Sequence, residues 1–282
     1  MDGIILVNKP AGLTSFDVVY QIRKSTRTKS VGHTGTLDPQ ATGVLVVLMG
    51  RATKALPYLS GKTKEYVAEL TLGIKTDTGD IWGNVIEEKE VTDITEQSVR
   101  EVLNSFLGDS MQLPPMVSAI KKDGKKLYEY AREGITIERE KRPIHIKEIE
   151  LLAMEPKIRF RVICSNGTYV RSLCEDIAEK LGTVGTMSSL VRTQACGYYL
   201  DQCFTLDQIK EGQFETVSIY EGIRSQWPML EIEESRVADV KNGKKIRLDC
   251  NEEIVALVWQ NEVLAMMERQ PDGIYRCKRG LW

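Results

Sequence analysis

Thirteen residues near the amino terminus, VGHTGTLDPQATG at positions 31–43, set the terms for any fold this chain adopts. They hold three glycines, three threonines and a proline, a composition that reads as an ordered loop rather than helix or strand. Six consecutive apolar residues follow, Val44 to Met49, which fit a buried strand or a short buried helix. No apolar run is longer, and spanning a bilayer takes roughly 20 residues, so no membrane association is expected. The opening MDGIILVNKP places an acid and only four consecutive apolar residues where a signal peptide would need a basic start and a longer run. A cytoplasmic location is expected. With 282 residues, 42% hydrophobic and 28% charged, the composition is that of a globular protein with one large domain or a domain and a small companion.

Six cysteines, Cys164, Cys174, Cys196, Cys203, Cys250 and Cys277, contain no C-x-x-C pair and read as buried thiols. Only two histidines, His33 and His145, are present. A zinc site with several imidazoles is out of reach, and neither metal nor cofactor is expected.

The net charge is −2, which by itself argues against a nucleic-acid binder. Its distribution points the other way. Residues 1–70 carry nine Lys/Arg against five Asp/Glu, and residues 115–147 repeat that balance, each a local +4. Residues 76–110 hold two against nine, and residues 200–240 three against nine. Local fields steer ligands, so the two basic segments either build one positive face or are ordinary solvated surface.

Along the chain, Ile4–Val7 reads as a strand, followed by a helix with Thr14 or Ser15 as N-cap and Val18, Val19 and Ile22 as its apolar face. Tyr66–Leu72 reads as a strand, 73–84 as an acidic loop, and Thr95–Leu107 as an amphipathic helix ending before Gly108. Residues 111–147 look like a mobile basic arm, with Pro114-Pro115 and the turn KKDGKK. Ile158–Cys164 alternates as a strand, and Ser172–Leu181 is a helix closed by Gly182. Residues 200–228 look like an acidic junction. Three short strands, 254–259, 263–269 and 274–278, suggest a small β-rich appendage, with Gln260-Asn261 as the turn between the first two.

Within these elements a few residues carry candidate chemistry. Pro39 biases Asp38 toward an extended backbone, holding its carboxylate at a fixed angle, although Asp-Pro is also a common turn pair. Arg171, between a strand and a helix, suits bidentate pairing with a carboxylate or a plain packing role. Tyr66 is by default a half-buried aromatic. No Gly-Lys-Ser/Thr follows the loop, so it is not a P-loop. The chain has no G-x-S-x-G elbow, which disfavours a hydrolase built on His33.

Together the segments resemble the TruB family of pseudouridine synthases, which act on uridine 55 of tRNA. The similarity runs in order through LVNKPAGLTS at 6–15, GHTGTLDPQATGVL at 32–45 and KEYVAELTLGIKTDTGD at 64–80. It continues through PPMVSAIKKDGKKLYEYAREG at 114–134, CSNGTYVRSLCEDIAEKLG at 164–182 and SSLVRT at 188–193. The resemblance implies an α+β pseudouridine synthase fold, a central mixed and mainly antiparallel sheet flanked by helices. It implies a catalytic domain over 1–228, a basic RNA clamp inserted at 114–142, and a small PUA-like RNA-binding domain over 229–282.

The same resemblance implies residue roles. Asp38 matches the catalytic aspartate, Tyr66 the tyrosine that stacks on the target base, and Arg171 the arginine that pairs with the aspartate. His33 matches the histidine that contacts RNA around the extruded base. Tyr169 and Leu190 match pocket-lining positions, and Lys9 and Pro10 the element supporting the catalytic loop. Lys121, Lys122, Lys125 and Lys126 fall in the clamp. Val191 stands where the family often has an arginine, which removes one phosphate contact without touching the chemistry. The implied partner is the T-arm stem-loop of tRNA, bound by a monomer. Two rival readings are a non-catalytic tRNA-folding factor, which would lack Asp38 or Arg171, and a subunit of an RNA-guided synthase related to dyskerin, usually longer and with basic extensions.

Overall fold

The computed structural model describes every residue except Ser60 and Lys62. Contacts divide the chain into two units, residues 1–61 together with 194–282, and residues 62–193. The boundary expected at 228/229 falls inside the first of these.

The first unit opens with β1 (Gly3–Lys9), α1 (Ser15–Thr26), β2 (Val31–His33) and β3 (Thr42–Met49). β1 and β3 are antiparallel, from Gly3 opposite Met49 to Lys9 opposite Gly43. The apolar run 44–49 is therefore a strand. Its period of two sends Val44, Val46 and Leu48 into one core and Leu45, Val47 and Met49 into another. A strand covered on both faces has no position left for a polar residue, hence the unbroken run. Thr14 caps α1: its Oγ1 accepts from Asp17 N at 3.0 Å while Asp17 accepts from Thr14 N at 2.8 Å. The expected loop 31–43 loses its first three residues to β2, which pairs with the end of β3.

The second unit contains β4 (Thr63–Leu72), β5 (Ile74–Thr76), β6 (Val85–Glu88), α2 (Glu96–Asn104), β7 (Gly108–Gln112), β8 (Lys121–Lys122), β9 (Lys125–Lys126), α3 (Leu127–Arg132), β10 (Arg142–Ala153), β11 (Ile158–Ser165), α4 (Val170–Lys180) and β12 (Gly185–Ala195). Its strands lie in the order β12-β4-β11-β10-β7. Tyr66, Ala68 and Leu70 of β4 face inward opposite Val162, Phe160 and Ile158 of β11. Alternate positions face out, where Arg161 reaches Glu65 at 2.9 Å, Glu148 at 3.0 Å and Glu150 at 3.4 Å.

Three expectations are corrected here. The acidic loop 73–84 holds β5 and leads back into β6, its antiparallel partner, with Gly73 and Gly79 turning the backbone at φ +87° and +75°. The helix of 95–107 stops at Asn104, and the chain turns into β7. The basic arm ends at residue 141: from Arg142 onward the chain is a twelve-residue strand paired with β7 and β11. Ile144 and Ile146 face the core there while charged neighbours alternate outward, so the charge density of 138–147 concealed a strand.

The chain returns to the first unit with β13 (Tyr198–Tyr199), α5 (Leu206–Lys210), α6 (Ile219–Arg224), β14 (Met229–Glu231), α7 (Glu234–Lys241), β15 (Ile254–Trp259), β16 (Glu262–Arg269) and β17 (Tyr275–Gly280). The supposed junction 200–228 contributes core: Leu206 and Ile209 pack with Val18 and Ile22, and Ile223 with Ile4. The carboxy-terminal strands form a sheet in the order β14-β15-β16-β17. Gln260 and Asn261 make its expected turn at φ +49° and +61°. One face of this sheet gives Ala256, Val258, Val263 and Met266 to the core containing Ile4, Leu6 and Val46. The other face closes on Val240 of α7. The six cysteines are not all buried: Cys203, Cys250 and Cys277 are half-exposed. No helix among the described residues is long and apolar enough to cross a membrane.

Candidate active site

In the first unit, the residues around Asp38 are held from both sides. Leu37, just before it, donates its amide to Ser15 Oγ at 2.8 Å, and Ser15 Oγ donates to the Leu37 carbonyl at 3.0 Å. Pro39, just after it, offers its carbonyl to Lys9 Nζ at 2.8 Å and to Gly12 N at 3.0 Å. Lys9 is completely buried, and its ammonium also donates to the carbonyls of Pro10 and Leu13 at 2.8 and 2.6 Å. A buried cation needs such oxygens to replace its water. Ala41 N closes the turn on the Asp38 carbonyl at 3.1 Å. Asp38 itself is half-buried, and His33 lies half-buried at the end of β2.

In the second unit, Tyr66 shares the inward face of β4 and is 7% exposed. Tyr169 is the N-cap residue of α4. Its amide donates to Gln112 Oε1 at 2.8 Å and its carbonyl accepts from Gln112 Nε2 at 3.1 Å, so a buried side-chain amide imitates a strand partner. Arg171, in the first turn of α4, is buried and donates to the carbonyls of Thr78 and Val117, both at 2.8 Å. Gly79 lies against it: a Cβ at this left-handed residue would sit 3.5 Å from Arg171 Cβ. One turn along, burial raises Glu175 above the usual carboxylate range, with Lys75 and, less strongly, Arg171 opposing. Leu190 is buried on β12.

Lys121, Lys122, Lys125 and Lys126 form the two short strands of a hairpin, with Lys121 opposite Lys126 and Lys122 opposite Lys125. They are not four equivalent solvated cations. Lys121 and Lys122 are exposed, whereas Lys125 and Lys126 are half-buried over the rings of Tyr130 and Tyr128 at 4.6 and 5.3 Å. Lys125 also pairs with Glu133, and Lys122 Nζ donates to the Glu138 carbonyl at 2.6 Å.

The structure thus groups Lys9 and Pro10 with the loop of Asp38 and His33 in one unit, and Tyr169 with Arg171 at the head of α4 in the other. Two anchors escaped the sequence reading. Ser15 lies inside the segment 6–15 but signals only a helix start, and Gln112 signals nothing beyond a polar residue before a proline pair.

A paired-strand α+β framework of this kind is that of the pseudouridine synthases. An H/ACA ribonucleoprotein bound to a substrate RNA superposes with a TM-score of 0.73 at 24% identity, over 99% of this chain and 85% of that one. A Cbf5-Nop10-Gar1 complex gives 0.71 at 28% identity, over 95% and 78%. The model of the TruB family pseudouridylate synthase N-terminal domain matches residues 23–170, and that of the tRNA pseudouridylate synthase B C-terminal domain matches 171–220. A tRNA pseudouridine synthase B of Clostridium tetani is 45% identical over 88% of this chain and 86% of its own. One of Bacillus subtilis is 49% identical over 78% and 74%. The chain belongs to the TruB family of pseudouridylate synthases, and it is an isomerase.

Proposed function

We propose that this protein converts uridine 55 in the T-loop of tRNA to pseudouridine, acting as a monomer in the cytoplasm. The reaction breaks the N1–C1′ glycosidic bond, turns the base, forms the C5–C1′ bond and moves the C5 proton to solvent while N1 regains one. It is redox-neutral. What it demands is an ionised carboxylate beside the sugar and a pocket that keeps the freed base.

In this reading Asp38 supplies the carboxylate and Arg171 holds it ionised. Tyr66 stacks on the base, with Tyr169 and Leu190 lining the pocket. The uridine leaves its stack at a cost of a few kcal/mol, and His33 contacts the RNA around the gap. Residues 114–142 clamp the T-arm through lysines, residues 229–282 add a PUA-like RNA-binding module, and Lys9 and Pro10 support the loop. One observation carries the reading: the peptide units on both sides of Asp38 are tied down, by Ser15 at Leu37 and by Lys9 and Gly12 at Pro39. A carboxylate whose direction is fixed by its backbone is prepared to act on one atom.

The test is incubation with an unmodified tRNA transcript, mapping pseudouridine by carbodiimide and primer extension. Asp38→Asn should lower the rate by about 10²–10⁴ with tRNA affinity unchanged within a few-fold. Turnover near the wild-type level in that variant overturns the assignment.

A further inference from the structure

We propose that the outer face of α1 is a second RNA-binding surface, which stacks an unpaired base and holds phosphates of the RNA next to the target nucleotide. The proposal rests on the reading of this chain as an RNA-modifying enzyme.

Its basis is how α1 distributes its apolar residues. The aliphatic ones, Val18, Val19 and Ile22, are buried with Ser15. The two aromatic ones, Phe16 and Tyr20, lie one turn apart and are 67% and 60% exposed. Lys24 continues their row, exposed, and Arg27 and Lys29 follow exposed just beyond the helix. Residues 15–30 contain four cations, counting the half-buried Arg23, and one acid, Asp17. That acid is occupied by the amide and hydroxyl of Thr14 at 2.8 and 2.6 Å. The stripe is thus aromatic and cationic with no exposed aliphatic surface. Flat rings interleaved with cations suit bases and phosphates, and two of the four cations, Lys24 and Lys29, are of the residue type that protein interfaces disfavour.

Position adds to composition. Phe16 directly follows Ser15, which holds Leu37 beside Asp38. The stripe therefore starts at the Asp38 loop and runs about 16 Å to Arg27 at 1.5 Å per residue, so the RNA it meets is the stretch flanking the reacting uridine.

Phe16→Ala/Tyr20→Ala and Lys24→Gln/Arg27→Gln/Lys29→Gln separate stacking from charge. Binding of unmodified tRNA is titrated at several salt concentrations, with single-turnover rates at saturating tRNA. The aromatic variant should weaken binding about 5- to 100-fold and leave the salt dependence alone. The charge variant should flatten the slope of log K against log salt by about 0.7 per lost contact. Saturated rates should stay near wild type in both, and Phe16→Tyr/Tyr20→Phe should bind as wild type does. Unchanged affinity in both loss variants overturns the proposal and leaves the stripe to a protein partner. A wild-type protein that makes no pseudouridine on this transcript is instead the failure of the proposed function.

Discussion

Ser15 Oγ holds both polar groups of Leu37, accepting from its amide at 2.8 Å and donating to its carbonyl at 3.0 Å. Both residues are buried, at 2% and 3% exposure. The contact joins the first residue of a helix to the residue before Asp38, so the helix start and the loop move as one piece.

Ser15→Ala tests that coupling. The buried Leu37 amide loses its acceptor, at a cost of about 1–3 kcal/mol in stability, seen as a lowered melting temperature. With the loop released on one side, the single-turnover rate at saturating tRNA should fall about 10- to 100-fold while the dissociation constant holds. A loss of stability with an unchanged saturated rate would show that the contact supports the fold alone.

The hairpin lysines should not respond alike. Lys121→Gln should flatten the salt slope of tRNA binding by about 0.7–0.9 for one lost phosphate contact without disturbing the arm. Lys125→Gln/Lys126→Gln should also loosen the arm, because these ammonium groups sit over Tyr130 and Tyr128, and Lys122→Gln should do so by losing its bond to the Glu138 carbonyl. Limited proteolysis across residues 114–141 distinguishes them: faster cleavage is expected for the Lys122 and the Lys125/Lys126 variants and not for Lys121→Gln.

Deleting residues 229–282 should leave a chain that binds a hydrophobic dye and melts without cooperativity. Ala256, Val258, Val263 and Met266 cover the core face that includes Ile4, Leu6, Val44 and Val46. Arg51 to Glu262 at 3.0 Å and Lys54 to the Trp282 carbonyl at 2.7 Å add surface ties from the segment that follows β3. A truncated chain with a sharp melt would show that this packing is dispensable.

Two buried thiols set an alkaline limit. Burial pushes Cys164 up to about 11 and Cys174 higher still, from an ordinary thiol value of 9.0. Since the thiolate is the reactive form, iodoacetamide at pH 8 should spare both in the native protein and label both in urea. Above pH 9 the unfolded chain ionises these thiols first, so their contribution to stability is intact below that value and declines above it. Denaturant midpoints at pH 8 and 10 should show the decline, and Cys164→Ser/Cys174→Ala should reduce it.

How much was legible follows from where each signal's partner lies. Thr14 and Asp17 are three residues apart and announce α1 by themselves. The alternation of Ile158, Phe160 and Val162 announces β11 in the same way. By contrast, Ser15 and Leu37 are 22 residues apart, and Gln112 and Tyr169 are 57 apart. Nothing local marks either pair.

The sequence by itself determined the starts of α1 and α2, the strands β1, β4, β11, β15, β16 and β17, the family and the choice of candidate residues, because caps, alternation and colinear motifs are complete within short stretches. Tertiary structure alone decided that 142–147 is strand rather than arm and that 200–228 carries core. It also decided that Lys125 and Lys126 rest on tyrosine rings and that the Asp38 loop is tied at both ends. Each of these depends on a partner that folding brings in from elsewhere in the chain, and a charged or polar residue reads the same in sequence whether or not that partner arrives.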